Sequence, residues 1–223
     1  MTRPRVEHPR SDFAALREDL GELATQTLAL VERAIAGWED ADPSVAEAVA
    51  DGDREVDLRS AALERRILTL HQNWSSFAGD LRLLHVGLIA AVALERVGNL
   101  AVSIARLAGS APPPESGAEP VRRLIASMGE RAIDALALAT QAVARSDLAA
   151  GDQAVRDARR LSPMLDQVLQ AVAQAPGEPG MRAWSAAAVL VARHVERVAN
   201  NAAELGARVH FLVTGETAPP EEG

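Results

Sequence analysis

Two breaks rich in proline and glycine constrain the fold of this 223-residue chain more than any other feature. One break covers residues 109–117 and the other covers residues 176–180, and neither segment can continue an α-helix. Between the breaks, apolar residues recur every three or four positions, as at Leu16, Leu20 and Leu23. This spacing is typical of amphipathic helices that pack against one another. An all-α fold is therefore predicted, with helices near residues 11–38, 43–73, 76–108, 118–146, 150–175 and 181–214.

The composition agrees with a helical protein and excludes several kinds of site. Alanine contributes 45 residues and aromatic residues only 3%, which favours helices over a β-sandwich or barrel. The 23 basic residues are all arginine, and 31 acidic residues give a net charge of -8, so a nucleic-acid partner is not expected. The absence of cysteine from the sequence excludes disulfides, thiolate metal sites and cysteine nucleophiles. Without lysine the chain also lacks a phosphate-binding P-loop.

Neither a targeting segment nor a membrane span is predicted. Residues 1–12 are polar and lack the apolar core of a signal peptide. The most apolar stretch, residues 83–94, includes His85 and is shorter than the roughly 20 residues that a transmembrane helix needs. These features predict a cytoplasmic protein with no direct membrane insertion.

The two halves of the chain resemble each other. Residues 94–105 are LERVGNLAVSIA and residues 195–206 are VERVANNAAELG, so Glu95 and Glu196 are 101 positions apart. An offset of this length is too long for a solenoid repeat and fits a duplicated three-helix bundle.

The duplication and the first break together define the predicted domains. Residues 11–108 form the first three-helix bundle and residues 118–215 form the second. Residues 1–10 and 216–223 are predicted to be flexible tails. Pro163 falls inside the fifth predicted helix, where a kink or a break is expected.

The first repeat contains a candidate cation site. Glu95 and Asn99 are four residues apart and share one face of a helix. If the second and third helices turn near residues 75–76, Asp53 and Asp57 lie level with them. Three carboxylates and one amide oxygen are ligands that a divalent cation accepts.

The second repeat offers a different environment for its acidic residue. Glu196 and Asn200 again share a helix face, but a turn near residue 178 places Arg160 and Arg156 level with them. A guanidinium group there is predicted to neutralise Glu196 through an ion pair. Arginine and metal are competing ways to stabilise a partly buried carboxylate.

Taken together, these motifs resemble the PhoU family of phosphate-transport accessory and regulatory proteins. The family hallmark is a repeated E/D-x-x-x-D on the third helix of each half. The matching segments here are E-R-V-G-N at 95–99, E-R-V-A-N-N at 196–201, D-L-R at 80–82 and F-L-V-T-G at 211–215. The resemblance covers about residues 12–215 and implies two tandem three-helix bundles related by an internal pseudo-two-fold axis.

The resemblance also implies metal positions, with clear departures from the family pattern. Family members are associated with multinuclear iron or zinc clusters on these motifs, but the second acid here is asparagine in both repeats. An asparagine offers a neutral amide oxygen and cannot bridge metals as a carboxylate does. No cofactor is predicted to be required. Any weakly bound divalent cation, iron or zinc is predicted at the first repeat only. The favoured interpretation of the motif residues is a hydrogen-bonded polar seam between helices. The candidate metal residues are Asp53, Asp57, Glu95, Asn99, Glu196 and Asn200.

The function implied by the resemblance is regulation by binding. The protein is expected to be a non-enzymatic negative regulator of phosphate uptake and of phosphate-starvation signalling. Its implied partners are the ATPase of a phosphate ABC transporter, a membrane sensor histidine kinase and a second copy of itself in a homodimer. Contact with these partners would place it at the inner face of the membrane.

Two alternatives stay open at the level of sequence. A helical scaffold or dimerisation module without a phosphate role would have the same composition. A metal-dependent helical-bundle enzyme is less favoured, because di-iron bundles use Glu-x-x-His pairs. None of the five histidines has a glutamate three residues before it.

Overall fold

The computed structural model describes residues 10–73, 78–110, 117–175 and 179–216. These residues form seven α-helices and no β-strand. The helices are α1 (Arg10–Glu39), α2 (Val45–Asn73), α3 (Ala78–Leu107), α4 (Glu119–Arg145), α5 (Leu148–Arg159), α6 (Leu161–Ala173) and α7 (Pro179–Thr214).

The helices assemble into two three-helix bundles. In the first bundle α1, α2 and α3 all contact one another, and in the second α4 and α7 pack against α5 and α6. The fold class predicted from the apolar spacing is confirmed, with α5 and α6 together in the place of one predicted helix. Amphipathic helices of this length stabilise each other chiefly by burying their apolar faces.

The fifth predicted helix is divided at Arg160. The backbone N–H of Arg160 donates to the carbonyl of Asp157 at 3.2 Å, which tightens the last turn of α5. Pro163 then lies in the first turn of α6, where its missing N–H costs no hydrogen bond. The helix break expected near Pro163 is therefore present, but it lies at Arg160, three residues earlier in the chain.

A single hydrophobic core runs through both bundles, because α1 packs against α4 and α3 packs against α7. Trp38 of α1 and Trp184 of α7 stack across this junction, with ring centroids 6.0 Å apart and an interplanar angle of 19°. Both indole rings are buried. The junction is therefore packed like the interior of either bundle.

Two arginines make equivalent hydrogen bonds across the junction. Arg17 of α1 donates to the carbonyl of Ala144 near the end of α4 at 2.7 Å, and Arg122 of α4 donates to the carbonyl of Glu39 at the end of α1. The arginines are 105 positions apart, and so are the two carbonyls. A reciprocal pair of this kind is what an internal pseudo-two-fold axis produces. Each guanidinium also lies favourably at the negative end of a helix dipole.

The turns after α1 and α4 repeat one geometry. Ala41 and Ser146 have positive φ angles of 52° and 54° and are again 105 positions apart. The aspartates that follow them each accept a backbone N–H: Asp42 from Ser44, just before α2, at 2.9 Å, and Asp147 from Ala150, in the first turn of α5, at 3.1 Å. The third-helix motifs are only 101 positions apart. The second repeat is thus four residues shorter between its first and third helices.

One helix among the described residues is long and apolar enough to cross a membrane. It is the segment Gly79–Leu107 of α3, with a mean hydropathy of 1.6, and it extends well beyond the stretch 83–94 singled out from the sequence. Of its most apolar window, 61% is buried inside the fold. Because α3 contacts α1, α2 and α7, this apolar character is that of a core helix.

Parts of four predictions lie outside the described residues. They are most of both predicted tails, the centre of the break at 109–117, the turn near residues 75–76 and the turn near residue 178.

Candidate functional site

The candidate site of the first repeat lies between α2 and α3. The hydroxyl of Ser60 donates to the carbonyl of Ala91 at 3.1 Å, and Asp53 packs against Gly98. Both pairs are symmetric about a point between residues 75 and 76. The structure therefore has the helix register that the sequence predicted.

Asp53 is the most buried acidic residue of this repeat. It is 8% exposed, and a Cβ atom added to Gly98 would collide with its Oδ1 atom. Oδ1 has no hydrogen-bond partner among the residues that the structure describes. Burial raises the pKa of Asp53 from 3.8 to about 6, the negative charges of Asp57 and Glu95 add to the rise, and Arg106 opposes it. The three carboxylates are thus close enough to interact electrostatically.

The other members of the predicted set are less enclosed. Glu95 is half-buried, whereas Asp57 and Asn99 are exposed. The side-chain amide of Asn99 donates to the backbone carbonyl of Glu95 at 3.2 Å. Within the described ranges, no group of three or more histidine, aspartate and glutamate residues is arranged to hold a metal ion. The Asn99 side chain therefore hydrogen-bonds to the backbone of its own helix.

Glu196, the acidic residue of the second repeat, is 5% exposed and forms an ion pair with Arg193, one turn earlier on α7. Arg156 bonds instead to Gln153 and Arg160 to Asp157, both within the same segment. Of the arginines predicted to neutralise Glu196, Arg156 and Arg160 therefore bond elsewhere, because these long side chains find acceptors one turn away. The spacing of three between Arg193 and Glu196 was the signal in the sequence.

Asn200 is exposed, and its neighbour Asn201 donates its side-chain amide to the carbonyl of Arg197 at 2.8 Å. This i to i-4 bond repeats the one made by Asn99 in the first repeat. In both repeats an asparagine amide thus bonds to the backbone of its own helix.

A buried alanine takes the place of Asp53 in the second repeat. α5 and α7 are in close contact at Gly151 and Gly206, and counting from that contact places Ala158 level with Ala199. Ala199 is the counterpart of Gly98 by the offset of 101. Ala158 is 2% exposed. The position of Asp53 is therefore occupied by a methyl group in the second repeat, whose buried carboxylate is Glu196 instead.

Comparisons with known proteins agree with the duplicated helical fold. The family model described as the PhoU domain matches residues 20–108. The phosphate-specific transport system accessory protein PhoU homolog 1 of Mycobacterium tuberculosis is 31% identical over 226 residues, covering 97% of this chain and 97% of that protein. The chain belongs to the PhoU family. PhoU homolog 2 of the same organism is 26% identical over 203 residues, covering 91% and 95% of the two chains.

Solved PhoU structures share the whole fold. The crystal structure of PhoU from Pseudomonas aeruginosa superposes with a TM-score of 0.85 at 20% identity, covering 94% of this chain and 100% of that one. The phosphate transport system regulatory protein PhoU from Streptococcus pneumoniae gives the same TM-score at 17% identity, covering 94% and 99%. The similarity to both structures spans the two bundles and their junction.

The residues of this PhoU protein do not fit a multinuclear metal cluster. Asn99 and Asn200 cannot bridge two metal ions, and Ala158 supplies no ligand. Arg193 already neutralises Glu196. The first repeat keeps its three carboxylates, so a single divalent cation there stays a prediction.

We expect the protein, purified without a chelator, to carry well under one equivalent of iron and zinc per chain. The physical reason is that only the first repeat retains three carboxylates, and the second position of both motifs is a neutral asparagine. Mass-spectrometric metal analysis checks this, with the Asp53→Asn, Glu95→Gln double variant as the control. Two or more equivalents of metal that disappear in the double variant would contradict it.

Proposed function

We propose that this PhoU protein is a cytoplasmic, non-enzymatic negative regulator of phosphate uptake and phosphate-starvation signalling. It acts by binding the ATPase of a phosphate ABC transporter, a sensor histidine kinase, or both. The observation that carries the proposal is near full-length similarity to proteins named accessory or regulatory components of phosphate transport.

The geometry is suited to regulation by docking. Helices of 27 to 36 residues in α1–α4 and α7 present faces roughly 40–54 Å long. The shared core across the junction fixes the two bundles against each other. A rigid body of this kind shifts a partner's conformational equilibrium by binding one state more tightly than another.

The candidate site contributes structure more than chemistry. The buried acid of the second repeat is held by Arg193, and the buried Asp53 of the first repeat packs against a glycine of α3. Neither carboxylate is hydrogen-bonded to a nucleophile in the described part of the chain. We therefore assign no catalytic role to these residues: Glu196 is neutralised within α7, and Asp53 fills the space beside Gly98 between α2 and α3.

Deleting the gene in the organism of origin is expected to leave phosphate-starvation genes switched on in phosphate-rich medium. A transcriptional reporter driven by a phosphate-starvation promoter measures this, and expression of the wild-type protein should restore repression. Unchanged reporter activity in the deletion strain would contradict the proposed role. In a parallel pull-down, retention of neither the ATPase nor the kinase would favour a scaffold without a phosphate role.

A further inference from the structure

An open apolar groove lies along the seam between α6 and α7, away from the candidate site of the first repeat. It encloses about 550 Å³. Its apolar lining comes from Val172, Ala175, Met181, Ala186, Val189 and Leu190. Leu190 is 50% exposed although it is a large apolar side chain. A groove of this size and lining is what a protein uses to receive an apolar side chain or helix face.

The groove carries positive charge on a strongly acidic protein. Arg182 lines it, is exposed, and has no carboxylate within ion-pair distance among the residues that the structure describes. Arg193, one turn beyond Leu190, adds no free charge because it is paired with Glu196. On a chain with a net charge of -8, an exposed arginine without an ion-pair partner among the described residues favours an acidic ligand beside this apolar groove.

A second polar feature lies in the groove wall. Ser185 is 6% exposed, and its hydroxyl has no hydrogen-bond partner within the described residues. The neighbouring Trp184 stacks on Trp38, which fixes this part of α7 against α1. The α7 wall of the groove is thus packed against α1, and the Ser185 hydroxyl is buried within that wall.

We propose that the α6–α7 groove is the docking site for an acidic amphipathic helix of a protein partner. From Arg182 to Leu190 the groove spans about 12 Å, which is two helical turns. Apolar residues at positions i, i+3 or i+4, and i+7 of the partner pack on Val189 and Leu190, and a carboxylate at one end pairs with Arg182. This inference rests on the proposed function, because it names the face through which the regulator binds its partner.

The test compares two leucines of equal exposure. Leu190→Glu places a charge in the groove, and Leu68→Glu places the same charge on α2, where the wild-type leucine is 51% exposed. Binding to the purified transporter ATPase and to the cytoplasmic part of the sensor kinase is measured by biolayer interferometry. We expect Leu190→Glu to weaken binding at least tenfold and Leu68→Glu to change it less than twofold, with unchanged helical circular dichroism in both.

A charge swap identifies the acidic end of the partner helix. Overlapping peptides that tile the bound partner are screened by fluorescence anisotropy, and the peptide that binds should carry the apolar spacing and an aspartate or glutamate. Arg182→Glu should lower the affinity for this peptide at least fivefold. Changing the acidic residue of the peptide to arginine should restore its binding to the Arg182→Glu variant. The proposal would be overturned if none of the tiled peptides binds, or if the charge swap does not restore binding.

The outcomes separate the groove from the wider function. If the wild-type protein binds a partner and Leu190→Glu binds it equally well, the groove proposal is wrong and the proposed function stands. If the wild-type protein binds neither partner, both are wrong. If Leu190→Glu instead splits a wild-type dimer seen by light scattering, the groove belongs to a second copy of the chain and the partner proposal is overturned.

Discussion

Replacing Gly206 with alanine is expected to lower the free energy of unfolding by about 3 kcal/mol. A Cβ atom at this position would lie 2.6 Å from the carbonyl oxygen of Gly151, and one at Gly151 would lie 2.8 Å from the carbonyl oxygen of Gly206. Both neighbours are backbone atoms of helices, so the clash cannot be relieved by rotating a side chain. α5 and α7 would have to separate and lose apolar contacts around Val209.

Thermal denaturation followed by circular dichroism measures this effect. For a chain of this size we expect the Tm of Gly206→Ala to fall by about 6–12 °C. Gly21→Ala is the matched control, because an added Cβ there has nothing within 4 Å. Gly21→Ala should gain about 0.5–1 kcal/mol from helix propensity alone. An unchanged Tm for Gly206→Ala would mean that α5 and α7 do not cross at this pair of glycines.

Asp53→Asn is expected to stabilise the protein by about 1–2 kcal/mol at pH 7.5. The pKa of Asp53 is raised from 3.8 to about 6, so the folded state binds the proton more tightly than the unfolded state. The contribution of Asp53 to stability is therefore fully present below about pH 4 and is lost as the pH rises to about 6. Asparagine keeps the shape of the side chain and removes the charge that burial penalises.

Thermal scans at pH 7.5 and pH 4.5 measure this second effect. We expect the Tm of Asp53→Asn to exceed that of the wild type by about 2–8 °C at pH 7.5, and the difference to shrink strongly at pH 4.5. Asp57→Asn, at an exposed position, should change the stability by less than about 0.5 kcal/mol. A lower Tm for Asp53→Asn at pH 7.5 would contradict the prediction. If that loss appeared only with added divalent cation, Asp53 would be a metal ligand.

The sequence predicted the fold and the helix register of the first repeat for a simple physical reason. Antiparallel helices joined by a short turn lie level at equal distances from that turn, and the contacts Ser60–Ala91 and Asp53–Gly98 follow this rule. The duplication could likewise be recognised from the sequence alone, by the offset of 101 between Glu95 and Glu196.

The second repeat was harder to predict because its details depend on tertiary contacts. Proline indicates a helix break only to within a turn, so the exact position at Arg160 did not follow from Pro163. The partner of Glu196 depended on side-chain reach, and Arg193 on the same helix is closer in sequence than the arginines of α5. The groove beside Leu190 has no sequence signature, because exposed leucines are common on helical proteins.

The reciprocal bonds of Arg17 and Arg122 have a consequence for how the two repeats can diverge. Contacts of this kind are isologous, the type that two identical subunits make about a two-fold axis. In a homodimer of a single repeat every substitution would occur twice, whereas the fused chain experiences it once. One copy can therefore keep an ionisable group in its interior, as at Asp53, while the other copy carries alanine at position 158 and a salt bridge nearby.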